Sequence, residues 1–146
     1  MSLFDAIDLA ASGLTAERTR MDVTSENLAN AQTTQGANGQ PYRRQEVVLQ
    51  QVGNTFGTQL AGALGQSGAT PGGVQVAGIV DDSTPDQLVY DPGHPGANAQ
   101  GYVSMPNVNP VSEMTDLISE SNSYQADVTA MSTAKTMYSK TLDILK

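Results

Sequence analysis

The 146-residue sequence contains no cysteine. Disulfides, thiol nucleophiles and cysteine-based metal sites are excluded together, while nothing follows about redox compartment. Tryptophan is also absent and phenylalanine occurs only twice, so a large aromatic core cannot be built. Basic residues are few: seven Lys and Arg stand against fifteen Asp and Glu, a formal charge of −8. A chain this acidic lacks the phosphate attraction on which nucleic-acid binding rests, and it is equally ill suited to an anionic membrane surface. No run approaches the roughly 18 apolar residues of a membrane span, so direct membrane insertion is not expected. Asp5 and Asp8 stand where a cleaved secretory signal carries positive charge. Any export is expected to use another route, without signal cleavage.

Catalytic chemistry is equally scarce. His94 is the only histidine, and no cysteine or second histidine can join it as a ligand or base; a turn residue with a hydrogen-bonding role is the simpler reading. Asp81, Asp82, Asp86 and Asp91 are the densest acidic cluster, but their spacing misses the alternate-oxygen, central-glycine, terminal-glutamate pattern of a calcium loop. They read as a solvated acidic face. Gly62, Gly65 and Gly68 lack the preceding strand and following helix of a dinucleotide loop. No nucleophile-elbow serine appears. The expectation is a protein without catalytic, cofactor-binding or metal-binding residues.

What the chain does contain is unevenly distributed. Residues 1–31 hold one glycine and no proline, residues 110–146 one proline and no glycine, and the 78 residues between hold 13 Gly and 6 Pro. Two helix-permissive ends bracket a turn-rich middle. In the C-terminal end Met114, Leu117, Ser121, Tyr124, Val128, Met131, Lys135, Tyr138, Leu142 and Leu145 alternate steps of three and four. A mean step of 3.5 keeps one face against a partner helix and implies a left-handed supercoil. Asn109 stands at the N-cap, Pro110 in the first turn, Glu113 and Asp116 near the positive dipole end. One helix over Pro110–Leu145, about 50 Å long, is expected. The N-terminal end carries Ile7, Leu14, Met21 and Leu28 at heptad spacing, with Phe4 and Ala11 on the same side. Ser2 can cap it. Leu3, Leu9 and Val23 lie off this seam and are expected to be left without a partner. Gly13, within the small-residue run from Ala10, costs about 1 kcal/mol relative to alanine in a helix, so a close backbone approach is expected there.

The middle reads as a small antiparallel β module of three to five strands. Tyr42–Val52 has strand composition, Val74–Val80 suits a second strand, and Leu88–Tyr90 and Tyr102–Met105 flank an Asp91–Gly96 turn. Gly53–Gly73 reads as a flexible loop. The fold class is thus α+β: two long terminal helices pairing as an antiparallel coiled coil, with the β module between them. Three parts follow, 1–31, 32–109 and 110–146.

These ends resemble the flagellar basal-body rod and hook protein family. Ala10-Ala-Ser-Gly-Leu14 followed by Val23-Thr-Ser-Glu-Asn-Leu-Ala-Asn30 is similar to its N-terminal motif. Asn107-Val-Asn-Pro-Val-Ser-Glu-Met-Thr-Asp-Leu-Ile118 followed by Ser123-Tyr-Gln-Ala-Asp127 is similar to its C-terminal motif. In the middle, Gly39–Gln45, Tyr90-Asp-Pro-Gly-His-Pro95 and Gly101-Tyr-Val103 look like the shorter, proximal-rod members. Glu26 departs from the pattern, standing where serine is commoner. The matching motif residues are Gly13, Asn27, Leu28, Asn30, Tyr90, Pro92, His94, Pro95 and Asn107.

The resemblance implies a structural subunit exported unfolded through the flagellar type III apparatus and polymerised in the periplasm with itself and other rod proteins. It implies paired terminal helices as an inner layer and an outer β domain. The assembly interface is then expected to use Ile7, Leu14, Met21, Leu28, Met114, Leu117, Tyr124, Val128, Met131, Tyr138, Leu142 and Leu145. Apolar stripes longer than their own domain mark association, and head-to-tail contact gives an open helical array when the rotation does not close. The alternative is a monomeric binding module whose helical arms clasp a partner in a secretion or signalling complex.

Overall fold

The computed structural model describes residues 3–36, 38–52 and 72–144. Along them run helix α1 (Leu3–Ala29), strands β1 (Gln45–Gln51), β2 (Val74–Asp81), β3 (Gln87–Tyr90) and β4 (Tyr102–Met105), and helix α2 (Pro110–Ile144). The α+β class expected from the punctuation pattern is the one observed. The expected loop falls at 53–71 outside the described residues, as does Leu145. Backbone contacts divide the chain into two units: residues 1–19, 48–78 and 120–146, and residues 20–47 and 79–119.

The four strands form two two-stranded ribbons, β1–β2 and β3–β4, and not one sheet. Strand β1 begins three residues later than its composition suggests. The Tyr42 amide is committed to Thr33 O at 3.1 Å, and the Arg44 amide to Asn107 Oδ1 at 2.9 Å, so neither joins the ladder. After β2 the Asp82 carboxylate accepts the Thr84 amide and hydroxyl at 2.8 and 2.7 Å. Those two bonds, with Arg44 and Arg43 nearby, hold its carboxyl below the usual range. The expected acidic face is thus partly turn-capping machinery, as Asp91 Oδ1 likewise accepts Gly93 N at 3.1 Å.

In the second ribbon Gln87 pairs with Met105 and Tyr90 with Tyr102. The two tyrosine rings meet edge to face, centroids 5.3 Å apart. The turn between them is closed by Asn98 Oδ1, which accepts the amides of Gln100 and Tyr102. Val103 on β4, Pro106 and Val108 are buried, and with Val23 of α1 they give the second unit its apolar centre. Val23 was expected to lie unpartnered off the α1 seam; it is 6% exposed. Helix α2 starts where its cap dictates, with Asn109 Oδ1 accepting Val111 N at 3.0 Å and Asn109 O accepting Glu113 N at 3.0 Å.

In the first unit Ala16 of α1 is buried. A close approach does occur at Gly13, but from a side chain and not from the expected backbone. A Cβ at Gly13 would lie 2.7 Å from Asp127 Oδ2 of α2. Ser12 ties β2 to α1: its hydroxyl donates to Leu9 O at 2.7 Å and accepts Val74 N at 3.1 Å.

Among the described residues two glycines take positive φ, Gly39 at 72° and Gly101 at 80°. A Cβ at Gly101 would also lie 2.9 Å from Tyr90 Cε2, whereas one at Gly39 meets nothing within 4 Å. Gly39→Ala should therefore cost only the left-handed strain, about 1–2 kcal/mol, and Gly101→Ala clearly more. Paired denaturant melts check the order; equal losses would show that the Tyr90 ring yields freely.

Candidate functional site

Asn27, in the last turns of α1, is 1% exposed, and its amide uses every hydrogen-bonding capacity it has. Nδ2 donates to Gln45 O at 2.8 Å and to Glu113 Oε2 at 3.2 Å. Oδ1 accepts Gln45 N at 2.9 Å and the Tyr42 hydroxyl at 2.9 Å. One side chain thus joins α1, the strand entering the first ribbon and α2, all within the second unit. Glu113 is likewise 1% exposed. Its other oxygen accepts Arg44 Nε at 2.6 Å. Arg44 also pairs with Glu46 and reaches Asp82 and Asp116 at 3.8 Å. The bond to Glu113 is the main reason that the Arg44 guanidinium binds its proton more firmly than usual, against the opposing effect of burial.

Tyr42 closes the cluster. Burial, then the carboxylates of Glu26, Asp81 and Glu113, push its phenol up to about 12. Asn107 extends the network, accepting Arg44 N and donating to Thr84 O at 3.3 Å. Asn30 holds the end of α1, its amide donating to Glu26 O and its oxygen accepting Thr33 Oγ1. The cluster offers fixed geometry and no open coordination or nucleophile. Among the described residues no three of His, Asp and Glu could hold a metal ion, and no helix is long and apolar enough to cross a membrane.

The motif asparagines Asn27 and Asn107 are brought into one network. Tyr90, Pro92, His94 and Pro95 gather instead at the β3–β4 turn, where His94 Nδ1 accepts Gly96 N at 3.0 Å. Gly13 lies in the first unit against Asp127. The stripe residues divide. Ile7, Leu14, Met21, Leu28, Leu117, Tyr124, Val128 and Met131 are half-buried, while Met114, Tyr138 and Leu142 are exposed.

The face of α2 that the chain itself buries is offset by one residue from the apolar stripe. Leu117, Tyr124 and Met131 belong to both. Where the stripe has Met114 and Ser121, the buried positions are Glu113 and Glu120. At Glu113 the polar groups offered within the second unit favour this phase. Asn27 and Arg44 can satisfy a carboxylate, which would be costly to bury elsewhere, and a thioether needs no such partner. Sequence reasoning placed Glu113 at the helix start for its charge and missed its burial. Two adjacent arginines after Tyr42 were the available signal for a buried anion.

A family profile described as "Flagella basal body rod protein" matches residues 7–38, and one described as "Flagellar basal body rod FlgEFG protein C-terminal" matches 99–144. The flagellar basal-body rod protein FlgC of Bacillus subtilis is 48% identical over 150 aligned positions, which cover the whole of both chains. The chain belongs to the FlgC family of flagellar basal-body rod proteins. Its Escherichia coli O157:H7 relative is 44% identical over 99% of this chain and 98% of its own, and the Borreliella burgdorferi relative 41% over 100% and 99%. Every motif position of this FlgC-family chain named above lies within those alignments.

Replacing Asn27 by alanine strands the Gln45 amide and the Tyr42 hydroxyl in a buried site. The loss expected in denaturant unfolding is about 2–4 kcal/mol. The pH dependence has a definite sign. Folded Tyr42 keeps its proton to about pH 12, while an unfolded tyrosine loses it near 10.0. Between those values the unfolded chain binds fewer protons, so stability falls as pH rises. The denaturant midpoint should fall more steeply over that window in the unaltered protein than in Tyr42→Phe; parallel slopes would place the phenol in solvent.

Proposed function

We propose that this chain is a structural subunit of the proximal rod of the flagellar basal body, polymerising helically with itself and with other rod proteins as part of the drive shaft. The observation that carries the reading is the full-length likeness to chains named flagellar basal-body rod protein FlgC. The side chains support it. The motif residues Asn27 and Asn107 are engaged in the hydrogen-bond network of the second unit. Large apolar groups remain outside: Val111, Met114 and Ile118 near the start of α2, and Met137, Tyr138 and Leu142 toward its end. A lone soluble helix does not normally carry such a surface without a partner.

On this reading the terminal helices pair as an antiparallel coiled coil. Gly13 lies against Asp127 in one unit and Asn27 bonds Glu113 in the other, contacts that run in opposite sequence order on the two helices. The stripe Ile7, Leu14, Met21 and Leu28 with Leu117, Tyr124, Val128 and Met131 then borders the pair and meets neighbouring subunits, as do the exposed Met114, Tyr138 and Leu142. Residues 32–109 form the outer domain. Delivery passes through the type III export apparatus into the periplasmic space, with no signal removed.

Leu142, 47% exposed, separates this from a self-contained clasp. Leu142→Asp should leave thermal unfolding of the isolated protein nearly unchanged, since little is buried there. At every lattice contact it removes roughly 1.5–3 kcal/mol of burial and adds a desolvated carboxylate. Cells carrying it should export the protein yet lack complete basal bodies and fail to swim. Normal swimming, or saturation of the purified protein as a one-to-one complex with a single partner, would favour the clasp.

A further inference from the structure

The charges of the chain are segregated. All three lysines, Lys135, Lys140 and Lys146, fall within the last twelve residues. Lys135 and Lys140 are exposed on α2, and among the described residues neither forms an ion pair. Leu142 follows Lys135 by seven residues, hence on the same side of the helix, and it too is exposed. The second unit, residues 20–47 and 79–119, has nine acidic residues against three arginines. Arg44 is already engaged by Glu113. On α1 Asp22 and Glu26 stand one turn apart, both exposed, and among the described residues neither has a cation. Like charges at this spacing repel, and a cation placed between them relieves that repulsion.

We propose that Lys135 of one copy, with Leu142 beside it, docks on the Asp22–Glu26 face of a second copy. The inference rests on the rod reading and names the contact through which copies of this chain meet. The occupant is another copy because the chain carries both complementary surfaces, a cationic α2 end and an acidic second unit. One contact leaves an unused end on each copy, so the interaction propagates head to tail, as an open array where its rotation does not close. The charges steer approach and fix register, while Leu142 supplies the apolar contact.

A charge exchange tests it in cells. Lys135→Glu alone, and Asp22→Lys with Glu26→Lys alone, should each abolish swimming, and the chain carrying all three substitutions should regain it. The absence of cysteine allows a direct second measurement. In basal bodies isolated from cells making the Glu26→Cys, Lys135→Cys protein, a short bifunctional maleimide should link trimers and longer chains, and neither single variant should give them. A swapped chain as defective as its parents, or linked products that stop at the dimer, would overturn the proposal. Variant protein incorporated into swimming cells' basal bodies without any linkage would overturn this contact and leave the rod reading standing. Complete basal bodies in cells lacking the chain altogether would remove both.

Discussion

Everything in the second unit hangs on the burial of one carboxylate. Glu113 lies one turn into α2 with 1% of its surface exposed, and a charge there is tolerable only because Arg44 and Asn27 each occupy one of its oxygens. With its amide held by the Asn107 side chain and its carbonyl accepting Asp82 N at 2.8 Å, Arg44 reaches Glu113. Asn27 can reach it only if α1 ends beside Gln45, whose amide and carbonyl bracket the Asn27 side chain. Helix ends, strand start and linker path are thus fixed by a single set of mutually dependent hydrogen bonds. Such networks specify geometry more than they add stability, because each member is costly when its partner is missing.

That choice has a consequence for the surface. By burying Glu113 and Glu120, α2 turns Met114 and Ile118 outward, and the apolar groups that could have made an ordinary two-helix core stay accessible. Small or polar residues, Gly13, Ala16 and Asn27, stand among the intrachain contacts beside the buried valines. The side chains of Met114 and Ile118 are exposed in the single chain. This division suits a member of a family whose relatives are named as rod proteins.

The β ribbons follow the same economy of means. Each has two strands, and each is held mainly at its ends, by turn side chains such as Asp82, Asp91 and Asn98 and by the Tyr90–Tyr102 pair. Two-stranded ribbons are marginal by themselves. In the β3–β4 ribbon Val103 is buried, as are Val108 and Val23 of the same unit.

Much of this was legible in the sequence. Heptad spacing, the Asn109 cap and the turn signals at Asp91–Gly96 are local, and local chemistry is written in adjacent residues. The two helices, the approximate strands and the family itself were therefore readable. What required the tertiary structure was helix phase and the fate of charged residues. Periodicity says that α2 has an apolar stripe but cannot say which side the chain buries, because that depends on partners far away in sequence. Glu113 meets Arg44 across 69 residues and Asn27 across 86. Neither separation leaves a trace in spacing or composition, so a glutamate that reads as an exposed helix-dipole residue becomes the centre of the fold only once the chain has closed around it.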